Sequence, residues 1–301
     1  MRLRLRAAAA MLVLTGALFS PCGLRAADDQ VNVVYPSVLQ PLVSKIALPF
    51  AEASGVTIVG RAVSSATDAP DTNTRPDVVL STDLWELRRA LPVDRAPTDL
   101  VFAADAIVLA YAEESAFARA VKDGTLWFTA LASEWLGFGR ADPDESALGL
   151  RTLFVLQLAS RHYDHPDLAL KVLRPGQTMP AEVLVRRLSA STLDAALLYR
   201  SLATRAGLPR LDLPIEINLG DPERAGLYAE ASIDLDGHVR RGAPILLAAT
   251  ALEGSPGASG AAKLLAFLAS PDAAKLLTAA GYVVPPGLPR ETDRRAKPKA
   301  D

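Results

Sequence analysis

A two-lobed α/β architecture is the fold class this sequence predicts, on three observations. Short apolar runs alternate with helix-period segments along most of the chain, the rhythm of strands joined by crossover helices. Polar residues gather where those runs end, which is where open α/β sheets bind ligands. The length, 301 residues, is long for one core and comfortable for two lobes. Each lobe is expected to be a mainly parallel sheet flanked by helices, with crossing strands as the hinge. Half the residues are hydrophobic and 22% are charged, which excludes a disordered, collagen-like or disulfide-scaffold chain. Lys and Arg number 32 against 34 Asp and Glu, so no basic excess invites nucleic acid.

The N-terminus reads as a secretory signal peptide over residues 1–26. Met1–Arg6 holds three arginines, and Ala7–Phe19 is an apolar run shorter than the ~20 residues of a bilayer span. Small residues around Leu24-Arg25-Ala26 then precede the polar Ala27-Asp28-Asp29. Cys22 is the one cysteine, and Pro21 before it, where a lipid-attachment site wants a small residue, argues against a lipid anchor. Cleavage after Ala26 removes four arginines and no acid, taking the formal charge from −2 to −6. The exported chain is then cysteine-free and held together by its core.

The first lobe is expected in residues 27–106 and 229–289, the second in 107–228, with 290–301 a charged, frayed tail. Val31–Val34 is the first strand, and Tyr35-Pro36-Ser37 turns it into a helix running to about Ala53. Val56–Val59 and Asp77–Asp83 are the next strands, separated by a polar loop that begins at Ser64-Ser65-Ala66-Thr67. Ala106–Tyr111 is an apolar strand crossing into the second lobe. There Trp127–Leu136 is helical, a long helix runs from Asp142-Pro143-Asp144-Glu145 to about Tyr163, and His165–Pro180 is a loop. Ala181–Ser189 is helical, Thr192–Tyr199 is a strand, and Leu211–Pro214 with Glu216–Asn218 ends the following one. Tyr228–Leu235 and Pro244–Thr250 read as strands returning to the first lobe, with the hinge near Ala106–Tyr111 and Tyr228–Leu235. Gly257–Ala280 reads as one long amphipathic helix.

Most chemical signatures are missing. His162, His165 and His238 are scattered, and no HxxxH or CxxC spacing suggests zinc. No G-x-S-x-G elbow, phosphate loop or dinucleotide fingerprint occurs, and no base–nucleophile pair argues for an enzyme. Binding residues are easier to find. Ser37, between a strand and a helix, suits either a helix cap or an anion. Asp142-Pro143-Asp144-Glu145 resembles a capping box, with Asp142 as the cap and Glu145 three residues on, and equally presents a carboxylate. Arg140 and Arg151 flank it, as partners for the acids or as surface ion pairs. Glu216 interrupts the apolar Leu213-Pro214-Ile215-Glu216-Ile217, so it faces a cleft or an exposed edge. Tyr199, at another strand end, brings a hydroxyl that can serve a ligand or the sheet.

Together these segments resemble the tungstate/molybdate-binding proteins of ABC transporters, in the archaeal-type branch with six-coordinate oxyanion binding; the chain reads as a divergent bacterial member. The resemblance rests on GFGRADPDESALGLRTLFVLQLASRHY, on LDAALLYRSLATRAGLPRLDLPIEINLGDPERAGLY and on ADAIVLAYAEES. GAPILLAATAL and SGAAKLLAFLASPDAAKLL extend it, so that it covers about Val31–Pro289. It implies a type II periplasmic-binding-protein fold closing on the oxyanion between its lobes. Ser37 and Ser64 or Ser65 would donate from the first lobe, and Asp142 and Glu216 would be carboxylate ligands to the molybdenum or tungsten. Tyr199 has a weaker claim. Pro36 stands where the family usually has glycine, and Val63-Ser64-Ser65-Ala66 replaces a Gly-Ser pair.

Two acids at an anion site need a chemical reason. Beside sulfate or phosphate a carboxylate repels unless one partner carries a proton. Molybdenum(VI) and tungsten(VI) are larger and accept oxygen ligands beyond four, so a carboxylate can bind the metal itself. The implied function is a periplasmic, monomeric binding protein, without a cofactor, that delivers tungstate or molybdate to an inner-membrane permease. The alternatives are another small anion or organic acid in the same fold, or a sensor or interaction protein that no longer serves transport.

Overall fold

The computed structural model describes residues 30–63, 76–235 and 237–295, and of Trp85 and Glu86 the backbone only. The expected signal peptide, Ser64, Ser65 and the last part of the expected tail lie outside the described residues.

The first sheet opens with β1 (Gln30–Pro36), whose Val31, Val33, Val34 and Tyr35 are all buried, as an interior strand covered on both faces requires. A single 3₁₀ turn leads to α1 (Gln40–Ser54), started by Pro41 in its first turn and stopped by Gly55 in the left-handed region. β2 (Thr57–Val63) pairs parallel with β1, and β3 (Val78–Ser81) does so on the other side. The buried Asp77 binds these parts together. Its carboxylate accepts from Asn32 N at 2.7 Å and from Gly257 N at 2.8 Å. After α2 (Leu84–Ala90), β4 (Thr98–Asp105) leaves the first sheet, and β5 (Ile107–Tyr111) continues it into the second.

The second lobe follows with α3 (Ala116–Lys122), α4 (Trp127–Leu131), β6 (Phe138–Gly139), α5 (Ala147–His162), α6 (Leu168–Val172) and α7 (Ala181–Ser189). β7 (Ala195–Tyr199), α8 (Arg200–Arg205), β8 (Arg210–Asp212) and α9 (Ala225–Tyr228) complete it. Its sheet runs β6-β7-β5-β8. The core spans β5, β7 and α5, with Leu109, Val155 and Leu197 fully buried. β9 (Ser232–Leu235) and β10 (His238–Arg241) form an antiparallel ribbon. The chain then returns as β11 (Ile245–Ala251), α10 (Ala258–Leu268), α11 (Pro271–Ala279) and β12 (Arg290–Asp293), giving a first sheet ordered β12-β4-β11-β3-β1-β2. One face of that sheet packs on α1, α10 and α11, and the other on α2. No helix among the described residues is long and apolar enough to cross a membrane.

The two-lobed α/β class holds, with differences in detail, the shortest being that α6 (Leu168–Val172) lies within the expected His165–Pro180 loop. The sheets are mixed: among the described strands two of five pairings in the first sheet and one of three in the second are parallel. In the first sheet β11, coming back from the second lobe, runs against both β3 and β4, and β12 runs against β4 as well. Tyr228–Leu235 does not return to the first lobe. Tyr228 and Ala231 are fully buried in the second core, and Gln157 of α5 holds the backbone of Ser232 through bonds of 3.0 and 3.1 Å. The crossing back comes at Ile245, whose N–H still bonds Leu219 O. Arg290–Asp293, expected in the frayed tail, is an edge strand on β4, with Arg294 donating to the carbonyls of Arg88, Leu91 and Ala96. The long C-terminal helix is two, because Ser270 caps α11 and Pro271 opens it.

Candidate functional site

On the first lobe the site begins at one end of the sheet. The parallel register pairs Val34 with Val79, which brings Pro36-Ser37 and Ser81-Thr82 to the same edge. β2 reaches that edge too, with Val63 opposite Pro36. Ser37 is exposed, and its hydroxyl does not cap α1: the helix is led in by Pro36 and Leu39 without a side-chain cap. Pro36 contributes no N–H, so its side of the rim is poorer in backbone donors. One strand over, Ser81 Oγ donates to Asp83 O at 2.9 Å and accepts from Asp83 N at 3.0 Å. That closed turn fixes the carbonyl of Thr82.

On the second lobe Asp142 sits in a turn ahead of α5. The expected capping box is not formed: Ser146 is the cap, accepting from Gly149 N at 3.1 Å, and the helix starts at Ala147. Ser146 prevails because it stands directly before the buried stripe of the helix, while Glu145 is exposed. Asp142 organises its own turn, with Oδ1 accepting from Asp144 N at 3.0 Å and its carbonyl from Ser146 N and Oγ. Among the described residues no hydrogen bond engages its second carboxylate oxygen. Gly149 allows this arrangement, since a Cβ there would meet the Asp142 carbonyl at 2.2 Å. Arg140 lies beside Asp142, and burial lowers its pKa against the pull of that acid.

Glu216 is half-buried in the turn after β8, with Arg224 Nη2 at 3.5 Å. The turn is rigid. Tyr228 Oη donates to Ile215 O at 2.6 Å, Ile217 and Asn218 N–H both bond Pro214 O, and Asn218 Nδ2 donates to Leu213 O. Burial raises the Tyr228 hydroxyl to about pKa 12, so it stays a donor. Tyr199, at the end of β7, is buried, and its Oη accepts from Arg151 Nη1 at 2.6 Å. Arginine only donates, so the Tyr199 proton remains to be given to another acceptor.

Ser37 is thus exposed at the end of β1, Asp142 and Glu216 sit on second-lobe turns and Tyr199 is buried at the end of β7, and no hydrogen bond or ion pair joins them to one another. Among the described residues no group of three or more His, Cys, Asp or Glu gathers to hold a metal ion. A cavity of about 200 Å³ does open between the lobes, lined by Lys45, Ser201, Thr204, Arg205 and Tyr282 among others, but none of Ser37, Asp142, Tyr199 and Glu216 is among the residues lining it.

Arg151 is the residue that sequence reasoning undervalued. It is 7% exposed, and from α5 it reaches the first lobe, where Nη2 donates to Thr82 O at 3.0 Å and lies 3.9 Å from Asp83. Burial opposes its charge, while Tyr199 and Asp83 favour it, and the balance holds the guanidinium above its ordinary value. A signal was present in the spacing. Arg151 falls three residues after Leu148 and four before Val155, on the buried stripe of α5 rather than on a surface face.

Two lobes on separate sheets, joined by crossing strands and facing each other across polar strand ends, define a solute-binding protein. The chain belongs to the bacterial extracellular solute-binding protein family, whose model matches residues 31–283. A Haloferax volcanii protein provisionally named an ABC transporter molybdenum-binding protein is 39% identical over 66% of this chain. This chain spans 63% of the length of that relative. The molybdate/tungstate-binding protein WtpA of Thermococcus kodakarensis is 27% identical over 75% of this chain and 69% of its own. Among solved structures, the periplasmic molybdate-binding protein of Azotobacter vinelandii superposes with a TM-score of 0.57 at 16% identity, covering 85% of this chain and 99% of its own. That last likeness concerns the fold.

Proposed function

We propose that this protein captures a tungsten(VI) or molybdenum(VI) oxyanion between its lobes and hands it to an ABC permease in the inner membrane. It acts in the periplasm after loss of residues 1–26, as a monomer, without catalysis and without nucleic acid. Its first lobe is residues 27–106 with 245–293 and its second 107–244. Ser37, with Ser64 or Ser65, donates hydrogen bonds to the oxyanion, and Tyr199 adds its remaining proton. Asp142 and Glu216 complete the coordination of the metal by bonding it directly. The names of the relatives support this reading.

The observation that carries it is the pair of second-lobe carboxylates, each held on a turn built by its own neighbours. Prearranged carboxylates suit a metal centre that expands its coordination, and they repel a tetrahedral anion that cannot. Calorimetric titration of ligand-stripped protein with tungstate, molybdate and sulfate tests this. Tight binding of the first two with none of sulfate is expected. Asp142→Asn and Glu216→Gln are each expected to weaken tungstate at least tenfold while leaving the thermal midpoint of the stripped protein nearly unchanged. Unaltered affinity in both variants would remove the carboxylates from the site. Pro36 favours a second reading, in which the same cleft holds another small anion or an organic acid; binding of sulfate or a carboxylate in preference to tungstate would establish it.

A further inference from the structure

We infer that Arg151 is a latch between the lobes, a positioning residue whose grip on the first lobe sets how long a ligand is held. Three observations carry the inference. The guanidinium belongs to α5 of the second lobe, yet one of its two bonds is to a carbonyl of the first, Thr82 O at 3.0 Å. That carbonyl is fixed by the Ser81 turn, so the acceptor is as rigid as the donor. The other bond goes to Tyr199 Oη at 2.6 Å, the hydroxyl that the function proposed above assigns to the oxyanion.

The chemistry favours arginine here. A planar fork can bond two acceptors in different directions at once, which one lysine ammonium on a flexible stem does less well. Its charge also meets Asp83 of the first lobe at 3.9 Å. Opening the lobes breaks the Thr82 bond and separates that ion pair, so the cost falls on opening and therefore on release. Removing the latch should raise the dissociation rate and leave the association rate nearly as it was. Because the guanidinium also orients Tyr199, release and ligand contact are coupled through one side chain. The latch itself needs only two lobes; its effect on release rests on the oxyanion reading given above.

The test has two arms. Cys22 is the one cysteine and falls within residues 1–26, so the protein lacking them and carrying Leu48→Cys and Leu170→Cys takes one spin label on each lobe. Both positions are well exposed, at 66% and 82%. Double electron–electron resonance on ligand-stripped protein should show a longer, broader interlobe distance in Arg151→Met than in the parent. A smaller change in the same direction is expected in Asp83→Asn, which alters a half-exposed first-lobe side chain and leaves the second-lobe core intact. In the second arm, tungstate release measured by stopped flow should speed up about tenfold in Arg151→Met, the order typical of coupled sites. Arg151→Lys should recover only part of that. Unchanged distances in both Arg151→Met and Asp83→Asn would overturn the latch, as would a slower association with unchanged release. If the parent holds no tungstate, the oxyanion reading has failed, and the distance arm still decides the latch.

Discussion

Asp105 closes β4 where the chain leaves the first sheet, and its carboxylate is fully buried between the lobes. It accepts from Ala106 N at 2.8 Å and from Ser201 Oγ of α8 at 2.5 Å. Burial pushes its pKa up from 3.8 to about 6, and the bonds from Ser201 and Ala106 offset only part of that. The folded protein therefore binds this proton more tightly than the unfolded chain does. The stability that results is complete below pH 3.8 and is lost as pH rises through about 6, amounting to about 3 kcal/mol. Asp105→Asn keeps an oxygen for Ala106 N–H and carries no charge. Its stability relative to wild type should improve by roughly that amount between about pH 4 and about pH 6.5, then level off. Denaturant unfolding at stepped pH checks this, and a difference independent of pH would show that Asp105 ionises in the fold without penalty.

At the scale of elements, the start of α5 shows how a sequence signal can be correct in kind and displaced in position. Asp142-Pro143-Asp144-Glu145 announces a helix start, yet Ser146 takes the cap and frees the Asp142 carboxylate from that duty. The same turn depends on Gly149. Gly149→Ala would press a methyl into the Asp142 carbonyl at 2.2 Å, against backbone that cannot yield cheaply. It should cost about 1–3 kcal/mol of stability and displace Asp142. Tungstate affinity should fall with it while the far-UV circular dichroism stays native, and full affinity would show that the position of Asp142 does not matter to binding. Other elements were legible for plain reasons. β1, β3, β5 and β7 are apolar runs because they are buried, and the Ser270-Pro271 pair marks the break between α10 and α11 in the sequence itself. What escaped reading depends on distant partners. β12 is charged and exposed, and becomes a strand only because β4 offers an edge. The β9–β10 ribbon belongs to the second lobe because Ile233 packs on its core and Gln157 holds the backbone of Ser232. Glu216 stood out as a charge within an apolar run, whereas the reach of Arg151 to Thr82 depends on how the two lobes meet.

For the whole molecule, the lobes are joined at Asp105–Ile107 and again near Ile245, while Arg151 spans the gap between them. Hinge and latch on one body suit a protein that must hold its ligand and later release it. On the function proposed above, the captured metal would be bonded by protein carboxylates as well as by its own oxygens. X-ray absorption at the tungsten edge of tungstate-loaded protein tests that most directly. A six-coordinate tungsten is expected, with four short bonds to oxygen and two longer ones that disappear in the Asp142→Asn, Glu216→Gln double variant. A tetrahedral spectrum identical to that of free tungstate would contradict it.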